Sequence, residues 1–252
     1  SGRREDVFLT PEKSIEMQFV IGADIMICLD DFAKPDATEK ELTETVRKTV
    51  LWAARSKAEF ERQCEIRYLE KKNRPLLLAV LEGGDSKRLR KQCAEQLIEI
   101  GFDAYGFGGW PMNREGKLDE EILSLSASLL PVGKPKFALG VGKPEDIIKG
   151  HKMGYTMFDC VLPTRDARHE RLYIFEPESD QPHQQMYITR EVFKNDTNPI
   201  SPSCDCHTCK KYSRGYLHHL FKIKETLAYR LATIHNLRTY TRVIEYLRSN
   251  ET

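Results

Sequence analysis

Three cysteines fall within one short run, Cys204-Asp205-Cys206-His207-Thr208-Cys209, and His235 follows after twenty-five intervening residues. Three thiolates and one imidazole are a complete tetrahedral donor set for Zn2+. One tight turn supplies three ligands, and a ligand from the end of a following helix closes the shell. Cys204, Cys206, Cys209 and His235 are therefore the expected metal ligands, for one Zn2+ per chain. Four protein ligands leave no open coordination position, so the expected role is structural. His207 is then a bystander. The constraint on the fold is strong, because residues 204–209 must lie against residue 235. Tyr216, Leu220, Ile223, Leu227, Leu231 and Ile234 form an apolar stripe at helical spacing between the ligands. The stripe predicts one long helix bracketed by Cys209 and His235, with a last helix over residues 236–249.

Seven cysteines in 252 residues, three of them clustered with a histidine, fit a metal in a reducing compartment better than a disulfide framework. Cys28, Cys64, Cys93 and Cys160 read as small apolar residues. The longest apolar run, Leu76 to Leu81, is far too short to span a bilayer, so no membrane partner is expected and the expected location is cytoplasmic. Ser1-Gly2-Arg3-Arg4 reads as a cut or appended start, not as a signal peptide. The net charge of +1 announces no global basic field, so any argument for nucleic acid rests on local patches.

From residue 13 to 165 short apolar runs alternate with amphipathic stretches. Strands are expected over residues 23–30, 75–81, 103–107, 136–141 and 155–162. Between them, Thr38 and Glu41 form a capping box before Leu42, Val46, Val50 and Ala53. Leu89, Cys93 and Leu97 mark a second helix ended by Gly101, and residues 118–130 a third. Strand–helix repetition with buried strands predicts a parallel α/β sheet. Each strand ends in a polar or glycine-rich cluster, as the strands of a TIM-type (β/α)8 barrel do at the active-site face. About five βα units are evident, so the barrel is incomplete in this chain. The expected organisation is residues 1–165 as later βα units, 166–203 as an irregular linking segment, and 204–252 as a zinc-binding helical subdomain.

Several strand-end residues have two readings. Asp159 can cap a helix or pair with Arg165 or Arg168; at a barrel mouth it can also attack an anomeric carbon. Of Asp30 and Asp31, one is expected to cap a turn, and a buried carboxylate suits the N1–H and exocyclic amine of a guanine-like ring. Gly83-Gly84 and Gly108-Gly109 serve tight turns or let backbone approach a ligand. Lys143, Asp146, Arg165 and Arg168 are solvated loop charges or, being near Asp159 in sequence, phosphate contacts. His218 and His219 read as packing or interface residues.

The chain resembles the tRNA-guanine transglycosylase (queuine tRNA-ribosyltransferase) family from about Leu9 to Arg248. The residues that carry the resemblance are the run Leu9 to Gln18, Gly22-Ala23-Asp24, the run Phe158 to Arg165, and Cys204 through His219 with Thr233-Ile234-His235-Asn236. The resemblance implies a pentosyltransferase that exchanges a guanine at the tRNA anticodon wobble position for queuine or another 7-deazaguanine, with tRNA and that base as partners. It implies Asp159 as nucleophile through a covalent ribosyl ester. It also implies Asp30, Glu82, Gly109, Trp110, Leu139 and Gly140 around the base, and Lys143, Asp146, Arg165 and Arg168 on the flanking nucleotides. A homodimer, or a heterodimer with a homologue, is implied as well.

Three departures stand out. The family's N-terminal third, which carries its general acid/base aspartate, is missing from this chain. Glu82 stands where catalytic members carry glutamine in a Gln-Gly-Gly turn, which is reminiscent of a non-catalytic tRNA-binding accessory subunit that pairs with an active homologue. Trp110-Pro111 replaces leucine and small residues, and Asp31 replaces a glutamate. Exchange on DNA is a third, weaker expectation.

Overall fold

A computed structural model describes residues 8–178 and 182–250; Ser1-Gly2-Arg3-Arg4 lies outside them. The chain forms two compact units. The first comprises the described residues through Val141 together with Lys152–Phe158. It contains α1 (Pro11–Ile21), β1 (Ile25–Ile27), α2 (Glu39–Ile66), β2 (Leu76–Leu81), α3 (Lys87–Ile100), β3 (Ala104–Phe107), α4 (Glu120–Leu129), β4 (Lys136–Ala138) and β5 (Met157–Phe158).

The five strands pair in parallel in the order β1-β2-β3-β4-β5. Sequential order with helical crossovers is the arrangement of consecutive strands in a (β/α)8 barrel, and the sheet curls as half of one. Both faces are buried, which is why β2 reads as an unbroken apolar run. Leu77, Ala79 and Leu81 pack beneath α1, α2 and α3 with Ile15, Val46, Phe60 and Leu89. Leu78 and Val80 face the other way, with Ala104, Ile27 and Phe137.

Local chemistry fixes the ends of these elements. The Thr38–Glu41 capping box closes reciprocally: Thr38 Oγ1 accepts from Glu41 N–H at 3.3 Å, and Glu41 Oε2 from Thr38 N–H at 2.7 Å. Gly101 caps α3 at φ 83°. At the edge of β1, the Gln18 side-chain amide satisfies both backbone groups of Ile27, accepting at 2.8 Å and donating at 3.0 Å. Arg74 holds Asp103 bidentately at 2.7 and 2.8 Å, and Asp103 also accepts from Leu77 N–H.

The second unit comprises Gly142–His151 and the described residues from Asp159 onward. It holds most of α5 (Pro144–Lys152), α6 (Leu162–Arg168), the antiparallel pair β6 (Arg171–Phe175) and β7 (His183–Tyr187), and a 3-10 turn over Glu191–Phe193. It also holds α7 (His207–Lys211), α8 (Arg214–Lys222) and α9 (Leu227–Ser249). Its core gathers Leu172, Ile188, Leu217, Leu231 and Ala232.

Some expectations change. The strand expected over residues 155–162 is only β5, because Pro163 sits in the first turn of α6. Residues 166–203 include a regular hairpin. The single helix expected between Cys209 and His235 is two, broken where Lys224 adopts φ 59°. His235 lies inside α9, which runs on unbroken through the residues expected to form a separate last helix. Among the described residues no helix is long and apolar enough to cross a membrane.

Candidate functional site

The donor set in the second unit is assembled. Cys206 caps α7, its sulfur accepting from Cys209 N–H at 3.3 Å, so the turn points three sulfurs the same way. His235 Nδ1 lies 3.7 Å from Cys204 Sγ, 3.7 Å from Cys206 Sγ and 3.3 Å from Cys209 Sγ. Tetrahedral Zn2+ with ordinary bond lengths separates N and S ligands by about 3.6 Å, so the donors fit the ion. The other ring nitrogen, Nε2, contacts the Tyr173 carbonyl at 2.7 Å. A carbonyl only accepts, so Nε2 carries the proton and Nδ1 offers its lone pair to the metal. Hydrogen bonds from Cys204 and Cys209 pull Cys206 down to about 3, while the same cluster pushes Cys209 up. A divalent ion would favour the thiolate forms of such ligands.

Asp159 follows β5 directly and is exposed. The next residue fixes its loop: a Cβ at Gly142 would lie 2.1 Å from the Cys160 Cβ, so only glycine lets the two strand-end segments touch. Lys143, one residue beyond Gly142, is exposed, as are Arg165 and Arg168 on α6, whereas Asp146 is 5% exposed on α5. Lys143, Arg165 and Arg168 thus present cationic side chains from segments adjoining the Asp159 loop, and Asp146 is shut away from solvent.

Two further residues brace this region. Asp166 is buried and accepts from Arg165 Nε at 3.1 Å, Arg171 Nη1 at 3.2 Å and the Tyr173 hydroxyl. Asn236 is fully buried; its amide oxygen accepts from Tyr173 N–H at 3.0 Å and its NH2 donates to the Pro163 and Arg171 carbonyls, both at 3.0 Å. Its position beside His235 was the one available sequence signal.

In the first unit, Glu82, Gly109 and Trp110 line a cavity of about 400 Å³ with Asp85, Arg114 and Asp119. Asp30 and Asp31 have separate fates. Asp31 is tied to α2: its N–H donates to Thr49 Oγ1 at 3.0 Å, and its carboxylate accepts from Thr45 Oγ1 at 3.2 Å and pairs with Lys48 at 3.5 Å. Asp30 is left beside Glu82, its pKa raised by burial. Glu82 is completely buried and is pushed up to about 8, first by burial and then by the Asp30 charge.

Arg90, also buried, spends its donors on the carbonyls of Gly84, Leu81 and Gly108 at 2.6, 3.2 and 3.1 Å. Space near Gly83 and Gly84 is filled by Arg90 and Leu42, so these glycines serve protein packing. Gly108 makes room for Glu82, whose Oε1 would lie 2.4 Å from a Cβ there. Trp110 is half-exposed, its ring centroid 5.3 Å from that of Phe32. Leu139 packs over Gly106, and Gly140 faces Pro111.

A family model described as Queuine tRNA-ribosyltransferase matches residues 2–250. Among curated proteins, the queuine tRNA-ribosyltransferase of Mannheimia succiniciproducens is 40% identical over 245 residues, covering 97% of this chain and 61% of that protein. Its namesake in Actinobacillus pleuropneumoniae serotype 3 is 39% identical, covering 97% of this chain and 60% of its own length. The one in Shewanella sp. strain ANA-3 is 39% identical with coverages of 97% and 61%. The chain thus spans about three fifths of the length of these relatives.

Proposed function

Since the chain belongs to the queuine tRNA-ribosyltransferase family, we propose that it exchanges a guanine in a tRNA anticodon for queuine or another 7-deazaguanine, with Asp159 as the nucleophile. An Asp159 carboxylate oxygen attacks ribose C1′, the C1′–N9 bond breaks, and guanine departs with the bonding pair and takes up a proton. The ribose is then held as an ester. The incoming base loses its own proton and attacks C1′ from the vacated side, displacing Asp159. Two inversions retain configuration, and one glycosidic bond replaces another with no ATP.

The observation that carries this reading is Asp159 itself, an exposed carboxylate held at a strand end by the Gly142–Cys160 contact. Exposed Lys143, Arg165 and Arg168 are suited to flanking phosphates, and Asp146, buried on α5, completes the set assigned to the flanking nucleotides. Asp30 accepts from the N1–H and exocyclic amine of the base, with Glu82, Gly109, Trp110, Leu139 and Gly140 as the remaining pocket wall. Cys204, Cys206, Cys209 and His235 would hold one Zn2+, whose chemistry is to cross-link the fold, since four protein ligands leave no position for a substrate.

The test is labelled-guanine exchange into tRNA, with trapping of a denaturant-stable protein–RNA adduct in the absence of incoming base. Asp159→Asn is expected to abolish both; exchange at the parental rate would overturn the mechanism. The Glu82-Gly83-Gly84 turn favours a second reading, an accessory tRNA-binding subunit. That reading expects tRNA binding with no adduct from this protein alone, and an adduct excludes it.

A further inference from the structure

Glu82 is 0% exposed, and neither of its carboxylate oxygens accepts a hydrogen bond from any described residue. An ionised carboxylate cannot persist there, because burial without donors costs several kcal/mol or more. The nearest cation offsets this only in part and gives no hydrogen bond, since the Arg90 N–H groups are already aimed at the carbonyls of Gly84, Leu81 and Gly108. The polar side chain left to Glu82 is the Asp30 carboxylate, another acceptor. Two acceptors meeting in an apolar wall are reconciled by a proton between them.

The strand geometry explains why Glu82 stands at the cavity wall. Residues 78, 80 and 82 share one side of the β2 line, and both Val80 and Glu82 abut the space left open by Gly108. A side chain at residue 108 would fill that space and displace the carboxyl. Glu82 thus stands in the wall of the 400 Å³ cavity, with Arg90 of α3 beside it.

We propose that Asp30 and Glu82 share a single proton and together present a carboxylic-acid donor next to a carboxylate acceptor, a pattern that reads the lactam edge of a purine-type base. The acid O–H donates to the ring carbonyl, and the carboxylate accepts from the adjacent ring N–H and exocyclic amine. This rests on the base-exchange reading above. It gives Glu82 the donor that a glutamine amide would supply, with one difference: the donor can be titrated away.

The charged and titratable groups facing Glu82 are Asp30 and Asp31 from the loop after β1, Arg90 and Cys93 from α3, and Asp85, Arg114 and Asp119 around the cavity. Asp31 is offset by Lys48, and burial pushes the Cys93 thiol up to about 12, so it stays neutral. The balance is acidic and favours retention of the proton. Glu82 is pushed up to about 8, so the donor form dominates at neutral pH and is lost in mild alkali.

The experiment measures the affinity of the protein for 7-deazaguanine by calorimetry between about pH 7 and about pH 9, for the parent and for Glu82→Gln. The competent fraction falls about tenfold over that range in the parent and stays constant in the variant. The ratio of parental to variant Kd is therefore expected to rise about tenfold; ionisation of the base itself cancels in the ratio. Independently, the ligand-free parent labelled with 13C-glutamate is expected to show a protonated-carboxyl infrared band at neutral pH that Glu82→Gln lacks. A flat ratio with measurable binding, or no such band, overturns the shared proton and leaves base exchange standing. Failure of either protein to bind 7-deazaguanine at any pH overturns the base-exchange reading together with the ligand assigned here.

Discussion

Asn236→Ala tests how the segment bearing Arg165 and Arg168 is held. Among the described strands, β6 pairs only with β7, so the backbone groups on its other side need partners from elsewhere. Asn236 supplies them, accepting from Tyr173 N–H and donating to Arg171 O, and its second amide proton reaches Pro163 O at the start of α6. Truncation removes all three bonds at once in a site with no exposure at residue 236. Each orphaned buried group costs about 1–3 kcal/mol, so a loss of about 3–5 kcal/mol is expected. For a chain of this size that lowers Tm by about 10 °C. The assay is thermal and urea unfolding at fixed zinc, with hydrogen exchange read over Leu162–Arg168, which should speed up. A loss below about 1 kcal/mol with unchanged exchange would show that the three bonds do not brace α6.

Chelation should lower Tm by several degrees and release one Zn2+ per chain, because an ion held by this donor set would cross-link α7 to α9; verified metal loss with an unchanged Tm would refute a structural role. Gly142→Ala should cost about 1–3 kcal/mol in urea unfolding and slow base exchange, since its Cβ would lie 2.1 Å from that of Cys160; failure of Cys160→Gly to relieve the defect would refute the contact as its cause. Stability should also depend on Glu82 through pH. Its ordinary value is 4.5 and its native value about 8, so between them the native state keeps a proton that the unfolded chain has released. Native stability therefore falls as pH rises through that window and levels off above it. Glu82→Gln lacks this slope, so its stability relative to the parent should grow from about pH 5 to about pH 8; parallel urea-unfolding profiles would refute the assignment.

What could be read from the chain divides along physical lines. Ligand spacing is local chemistry, so the Cys/His set was legible, and so were the Thr38–Glu41 box and the Gly101 cap. The doubly buried strands were legible because a parallel sheet leaves no polar face to interrupt the run. The break between α8 and α9 was not. The apolar stripe stays in phase across it, no glycine or proline marks it, and a lysine takes up the positive φ. Ile223, counted in that stripe, is 57% exposed. The end of β5 was legible in principle, since Pro163 suits the first turn of a helix, but the apolar run through Leu162 masked it. Asn236 acts through contacts more than sixty residues away in sequence, which no local pattern reports.

The acids at the strand ends show why residue type alone could not assign roles. Asp30 and Asp31 are identical and adjacent, yet Asp31 is spent on Thr45, Thr49 and Lys48 of α2, which leaves Asp30 to the neighbour it cannot hydrogen-bond without a proton. Glu82 carries the same functional group in the opposite state, because burial and an acceptor neighbour favour its neutral form. Asp159 is exposed at a strand end. The fold gives one side-chain chemistry these different surroundings by controlling water access and the placement of donors.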